Sequence, residues 1–222
     1  DTLSYDNALV NAMREAPDVL LIGEVRDRQT LQHALLYGQT GHLCLTTLHA
    51  NNSYHALGRI INFFPHDARD GLLHDLSTTL RAIISQRLVK GVDGSMVAAV
   101  EIMLNTKHIA ELVKKGEIDQ IKEAMEQSLS PGSETFEQAL FKLYSQGLIT
   151  KDDALKNSDS PSNLAWLLDN AGVAKSGKAG GTSMFGMPGA GGGGHGSSSA
   201  GVPSALTTTG GISIDLDRLD RT

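Results

Sequence analysis

Two short, unbroken apolar runs limit what this chain can fold into. Val19-Leu20-Leu21-Ile22 and the run within His42–Leu48 (Leu43, Cys44, Leu45, Leu48) are too short to be helices of a packed domain. A helical stretch, Gln29–Tyr37, separates them, with Asp27 where an N-cap belongs and Thr40-Gly41 closing it. Strand, helix, strand in that order predicts a parallel pair covered by helices. Continuous apolar character, without alternation, predicts that Val19–Ile22 is buried on both faces.

The remainder extends this pattern. Asp6–Ala16 reads as an amphipathic helix ended by Pro17, because the residue before proline is pushed out of helical geometry. Ser53 is placed to cap a helix running to about Phe64 and stopped by Pro65. From Asp67, the spacing of Leu72, Leu73, Leu76, Leu80, Ile83 and Ile84 predicts one long helix to about Leu88. Gly91–Gly94 reads as a turn and Met96–Leu104 as a third strand. After Thr106 the pattern is helical throughout: 106–115, 117–127, 134–146, 151–157 and 162–170. The expected fold class is α/β: a partial parallel sheet with flanking helices, then a small helical bundle, then a disordered Gly/Ser-rich tail. The boundaries expected are 1–105, 106–172 and 173–222.

Composition sharpens the division. Residues 173–222 hold 13 of the 24 glycines and little to bury, so they are expected to be disordered. Gly186–Gly211 reads as a flexible linker. Ile212–Leu219 alternates apolar and polar residues, which suits either a strand added to a partner's sheet edge or a plain disordered terminus. The tail carries four basic and three acidic residues, leaving 15 against 22, or −7, in the body. That balance argues against non-specific nucleic-acid binding, and no nucleic-acid partner is expected. The single cysteine, Cys44, supports neither an internal disulfide nor a zinc cluster and fits a reducing compartment. No apolar run approaches the ~20 residues of a membrane span. The first residue is Asp1, so a processed chain, or one cut from something longer, is expected.

Two segments carry candidate chemistry. In Asp18-Val-Leu-Leu-Ile-Gly23-Glu24-Val-Arg26-Asp27, four apolar residues followed by an acid place Glu24 at the carboxyl end of a strand. Ligands of open α/β sheets bind just beyond such ends. A carboxylate there can orient a water, accept its proton or hold Mg²⁺ against a nucleotide. The plain alternative is a glutamate facing solvent or paired with Arg26. In Thr40-Gly41-His42-Leu-Cys-Leu-Thr46-Thr47-Leu48-His49 a second strand ends in hydroxyls and an imidazole. His49 lies near Glu24 if the strands are neighbours, and it can donate to a terminal phosphate. Alternatively it is a loop histidine satisfied by backbone. His42 and His49 do not form a metal pair, since seven strand steps separate them by ~23 Å.

The runs Ala16-Pro-Asp-Val-Leu-Leu-Ile-Gly-Glu-Val-Arg-Asp27 and Thr40-Gly-His-Leu-Cys-Leu-Thr-Thr-Leu-His-Ala-Asn-Asn-Ser53 resemble the Walker B and histidine boxes of secretion and pilus ATPases. Gly23-Glu24 has the family's atypical form, with glycine before the catalytic glutamate. Ile84-Ser-Gln-Arg87-Leu88 and Glu101-Ile-Met103 also match, and the resemblance covers about residues 1–170. Pilus-assembly and type II secretion members usually carry a four-cysteine zinc module after the histidine box. With Cys44 alone, the chain is more similar to the type IV pilus retraction branch (PilT and PilU). Residues 102–116 sit where the PilT subgroup has its Ala-Ile-Arg-Asn-Leu-Ile-Arg-Glu motif, but no arginine lies between Ile109 and Gly116. That departure and the long tail lean toward the PilU subgroup of accessory retraction ATPases.

The resemblance implies a RecA-like core in 1–105 within a cytoplasmic, hexameric ATPase, peripheral at the inner membrane, using ATP and Mg²⁺ to retract type IV pili. It implies partners as well: further copies or a paralogous retraction ATPase, and an inner-membrane platform protein. Glu24 takes the role of general base and His49 that of γ-phosphate sensor, with His42 as a second candidate. Gly23, Glu24, His42, Thr47 and His49 are the expected nucleotide-side residues, with Mg²⁺ near Glu24. Arg14 and Arg26 either stabilise charge or pair with Asp18 or Asp27. The alternative function is a non-catalytic accessory subunit of a retraction ATPase ring.

A phosphate-binding loop requires Gly-x4-Gly-Lys-Ser/Thr between a strand and a helix. The body contains none. Gly172-Val-Ala-Lys-Ser-Gly177-Lys178-Ala179 has the spacing but lacks the hydroxyl, and Gly189–Gly194 matches GxGxxG only within a glycine run. In the retraction family the loop lies upstream, so the chain is expected to be a C-terminal fragment that does not hydrolyse ATP alone.

Overall fold

The computed structural model describes residues 5–15, 17–128 and 130–176. The expected linker, the Ile212–Leu219 segment and the Gly189–Gly194 match lie outside them. The described elements are α1 (Tyr5–Arg14), β1 (Val19–Ile22), α2 (Arg28–Gln39), β2 (Leu43–Thr46), α3 (Ser53–Asn62) and α4 (Arg69–Thr79). These are followed by β3 (Ala82–Lys90), β4 (Met96–Leu104), α5 (Lys107–Lys115), α6 (Ile121–Glu126), α7 (Phe136–Ser145), α8 (Lys151–Lys156) and α9 (Pro161–Ser176). The fold is α/β, with a short parallel sheet and flanking helices.

β1 and β2 pair in parallel with Val19 beside Leu43 and Ile22 beside Thr46. Asp27 caps α2 as expected, its side chain accepting from the Thr30 N–H at 2.8 Å. The buried Tyr37 hydroxyl donates to the Pro17 carbonyl at 2.6 Å and ties α2 to the entry of β1. A Cβ on Gly38 would lie 2.6 Å from the Thr79 methyl, so only glycine lets α2 and α4 approach this closely. Two-sided burial of β1 is corrected. Val19 and Leu21 are exposed, whereas Ile22 is buried and Leu20 packs partly against the core. Here the strand's period of two decides burial, because only one face of the pair is covered by helices.

The long helix expected over 67–88 is also corrected. A 3-10 turn (His66–Ala68) leads into α4, which ends at Thr79; Ala82–Lys90 is a strand antiparallel to β4. Leu72, Leu73 and Leu76 bury the face of a helix. Beyond residue 81 the period becomes two: Ser85 and Val89 are buried while Ile84 and Leu88 are exposed. The break is fixed from far along the chain. Asn105 Nδ2 donates to the carbonyls of Ser77 (3.0 Å) and Leu80 (2.8 Å), satisfying the end of α4. The turn joining the strands is held by Asp93, whose Oδ1 accepts from the Ser95 N–H and hydroxyl.

Two apolar clusters result. One gathers Ile22, Leu57, Leu76, Met103, Val113 and Ile121 with their neighbours, so α5 and α6 pack beside the sheet and α4. The other joins Val89 and Ala99 of the hairpin to Phe136, Leu140, Ile149 and Leu164. α5 stops at Gly116, whose φ of 75° is left-handed and favours glycine. α7 begins with a capping box between Thr135 and Gln138. α9 continues six residues past its expected end, so 172–176 of the formal phosphate-loop match are helical.

Leu140 is fully buried in the second cluster. Leu140→Ala is expected to cost about 2–5 kcal/mol of stability, read from urea unfolding followed by far-ultraviolet circular dichroism.

Candidate functional site

The parallel register carries β1 and β2 to their carboxyl ends side by side. Pairing continues past the strands, where the Val25 N–H donates to the Thr47 carbonyl at 3.0 Å. The Thr47 hydroxyl donates to the Gly23 carbonyl, closing the gap between the two segments. Glu24 and His49 therefore meet: His49 Nε2 lies 3.0 Å from Glu24 Oε1. The other carboxylate oxygen, Oε2, accepts from Arg26 Nε at 2.5 Å. Glu24 is only 18% exposed, whereas Arg26 and His49 are 78% and 80% exposed. The carboxylate sits in a shallow recess under two solvent-facing nitrogen groups.

Electrostatics follow from this arrangement. The hydrogen bond from Arg26 holds the Glu24 carboxyl below its ordinary value; desolvation opposes this, and the charges of Arg26, His49 and Arg59 add to it. Glu24 is thus an ionised acceptor at neutral pH. Asp27 is also lowered, chiefly by the Thr30 N–H. Arg26 therefore pairs with Glu24, while Asp27 serves the helix.

The other expected site residues fall elsewhere. His42 stands at the amino end of β2, beside the Leu43 N–H to Asp18 carbonyl contact, at the opposite strand end from Glu24. Its Nδ1 is 2.9 Å from the Thr40 hydroxyl and its ring stacks obliquely on Tyr37 at 4.6 Å, so the structure does not bring it to Glu24. Arg14 is exposed in the last turn of α1. Among the described residues it has neither a carboxylate partner nor a contact with Glu24.

Sequence reasoning missed Arg59. It lies on α3, and its Nη1 donates to the His49 carbonyl at 3.0 Å. Arg59 and His55 stand four residues apart and line one helix face beside His49; that spacing was the available signal. With Asn51, Asn62 and Asp119 they border an open groove of about 740 Å³.

The residues suit a phosphate-bearing ligand: Arg26, Arg59 and His49 offer donors around one carboxylate at paired strand ends. Among the described residues there is no group of three or more His, Cys, Asp or Glu placed to hold a metal ion. Mg²⁺ binds through one or two carboxylates together with substrate phosphates, and Glu24 fits that sparse protein share.

Known proteins resemble the chain in both sequence and fold. The family described as "Type II/IV secretion system protein" matches residues 1–116. The Type IV pilus ATPase PilU of Pseudomonas aeruginosa is 49% identical over 169 residues, 76% of this chain and 44% of that protein. The Type IV pilus retraction ATPase PilT of the same organism is 36% identical over 164 residues, 74% of this chain and 48% of its own. The crystal structure of the pilus retraction motor PilT with bound ADP superposes with a TM-score of 0.68 at 38% identity, covering 75% of this chain and 47% of that one. The chain thus spans less than half the length of the curated relatives it matches.

Arg26→Ala is expected to raise the Glu24 pKa toward its ordinary value, read by carbon-detected carboxyl titration. Because the folded value is depressed, the charged carboxylate and its contacts persist above it and are lost as pH falls through it. In the variant that loss begins at higher pH. An unchanged Glu24 titration would show that Arg26 does not set it.

Proposed function

This chain belongs to the type II/IV secretion system protein family, and from that membership we propose that it is the C-terminal part of an ATPase driving type IV pilus retraction and twitching motility. The observation carrying the proposal is the 3.0 Å contact between Glu24 and His49 at adjacent carboxyl ends of parallel strands. PilU and PilT are pilus ATPases by description, and the family match over residues 1–116 takes in this pair.

In this reading Glu24 orients a water molecule and takes its proton as the water oxygen bonds to the γ-phosphorus. The bond to the β–γ bridging oxygen breaks and ADP leaves with its electron pair. His49, beside the same carboxylate, donates to the γ-phosphate and reports its presence. Arg26, with Arg59 as a further cation, offsets charge on the transferring group. Mg²⁺, brought with ATP, supplies neutralisation of the phosphate oxygens; Glu24 is the side chain that would hold it.

The assembled enzyme is proposed as a hexamer, or as a mixed ring with a paralogous retraction ATPase. It would act in the cytoplasm against an inner-membrane platform protein. No helix among the described residues is long and apolar enough to cross a membrane, which is compatible with that placement. The division into an ATPase part (1–105), a helical part (106–172) and a tail belongs to the same proposal. Since the sequence holds no Gly-x4-Gly-Lys-Ser/Thr, the 222-residue chain is expected to be inactive alone.

The test is phosphate release by the protein carrying its family's upstream region, beside a Glu24→Gln twin. Loss of roughly 10²–10⁴-fold in the twin is expected. Equal release from both would remove Glu24 from the chemistry. No release from either, with both binding ATP, would replace the motor with a non-catalytic accessory subunit.

A further inference from the structure

The run Ile84–Leu88 carries an arginine that this chemistry does not use. Arg87 projects inward from β3, and its guanidinium lies over the Phe136 ring at 4.0 Å from the centroid. Nη2 donates to Asp159 Oδ1 at 2.5 Å and to the Asn51 carbonyl at 3.1 Å; Nη1 donates to the Asn157 carbonyl at 2.6 Å. These acceptors come from two places only: the loop that bears His49, and the turn between α8 and α9. Asp159 answers with its second oxygen, which accepts from Asn52 Nδ2 at 3.0 Å. Asn52 is buried, and its own oxygen caps α3 at the His55 N–H. One residue on, the Ser53 N–H and hydroxyl both donate to the buried Glu101 at 2.8 Å.

We propose that Arg87 and Asp159 are positioning residues that fix His49 against Glu24 by tying the histidine loop to the α8–α9 turn. The proposal rests on the reading of Glu24 and His49 as the phosphate-facing pair. The loop is short: His49 is held at its carbonyl by Arg59, Asn51 at its carbonyl by Arg87, and Asn52 through its side chain by Asp159. Little freedom remains between the last two anchors and the imidazole. A planar fork can serve three acceptors at fixed angles over an aromatic ring, which an ammonium cannot. Arg87 and Asp159 are only 19% and 15% exposed, so removing either leaves poorly hydrated groups without partners. Displacement of the α8–α9 turn therefore reaches the histidine loop, and a change at His49 reaches the helices.

The experiment follows the His49 ring by long-range proton–nitrogen correlation in the 222-residue chain, with no nucleotide. Glu24→Gln should shift the His49 Nε2 signal in the parent chain. In Arg87→Ala or Asp159→Asn backgrounds that response should fall by about half or more, as a double-mutant cycle reads coupling. Arg87→Lys should not restore it. Lys151→Ala removes the ion pair with Asp169 between the same two helices and should leave the response intact. A full response in folded Arg87→Ala and Asp159→Asn chains, with only a lower melting temperature, would overturn the proposal and leave a plain staple. Should Arg87→Ala fail to fold, the near-isosteric Asp159→Asn decides. No response to Glu24→Gln in the parent would overturn the proposal together with its geometric premise. Because the signal needs no hydrolysis, loss of the ATPase reading in the phosphate-release assay would be seen separately.

Discussion

The parallel register of β1 and β2 is the constraint on which the site depends. Four paired residues place Ile22 beside Thr46, and the Val25 to Thr47 hydrogen bond carries the alignment into the loops. A slip of one residue would turn every side chain of one strand to the other face. It would also carry Glu24 away from His49 by a full strand step. Two strands alone are not independently stable. The register is therefore held from outside the sheet: the Tyr37 hydroxyl fastens α2 at Pro17, and the bare Cα of Gly38 lets α4 close over α2.

Much of this was legible in the residues, for identifiable reasons. Local signals act within a few residues, so the Val19–Ile22 run, the Asp27 cap, the Gly91–Gly94 turn and the helices after Thr106 could be read directly. Glu24 and His49 were legible because each ends a strand, and the helix between those strands implies parallel neighbours. β3 was not legible. Ile83 and Ile84 continue the leucine spacing of α4, and the competing signal comes from Met103 and Ile102, which face them on β4, and from Asn105, all outside the local window. The exposure of Val19 and Leu21 was misread because composition alone cannot tell one covered face from two. The roles of Arg59 and Arg87 escaped for a related reason: each acts on a backbone carbonyl of the histidine loop, and even where spacing or a motif marks the arginine, the backbone acceptor leaves no mark of its own.

The contacts at the site divide into two kinds, and the division bears on what Glu24 can do. Both of its oxygens are engaged, one by Arg26 and one by His49. A carboxylate held in that way is a poor base, because its negative charge is already stabilised. To accept a proton from water it must lose a partner. Both partners are well exposed, and exposed ion pairs contribute little, so an anionic ligand offering stronger acceptors can draw either cation away. Withdrawal of Arg26 would remove the largest cause of the lowered Glu24 pKa and, under the proposed function, leave a stronger base beside the phosphate. The backbone beneath cannot follow so easily. It is held by Arg87, Asp159, Asn52 and the buried Ser53–Glu101 contact, whose loss would strand unsolvated polar groups. Under the proposed function, exchangeable side-chain contacts on a fixed backbone would leave the carboxylate idle without ligand and basic with it, while the surrounding fold holds the two strand ends that carry Glu24 and His49.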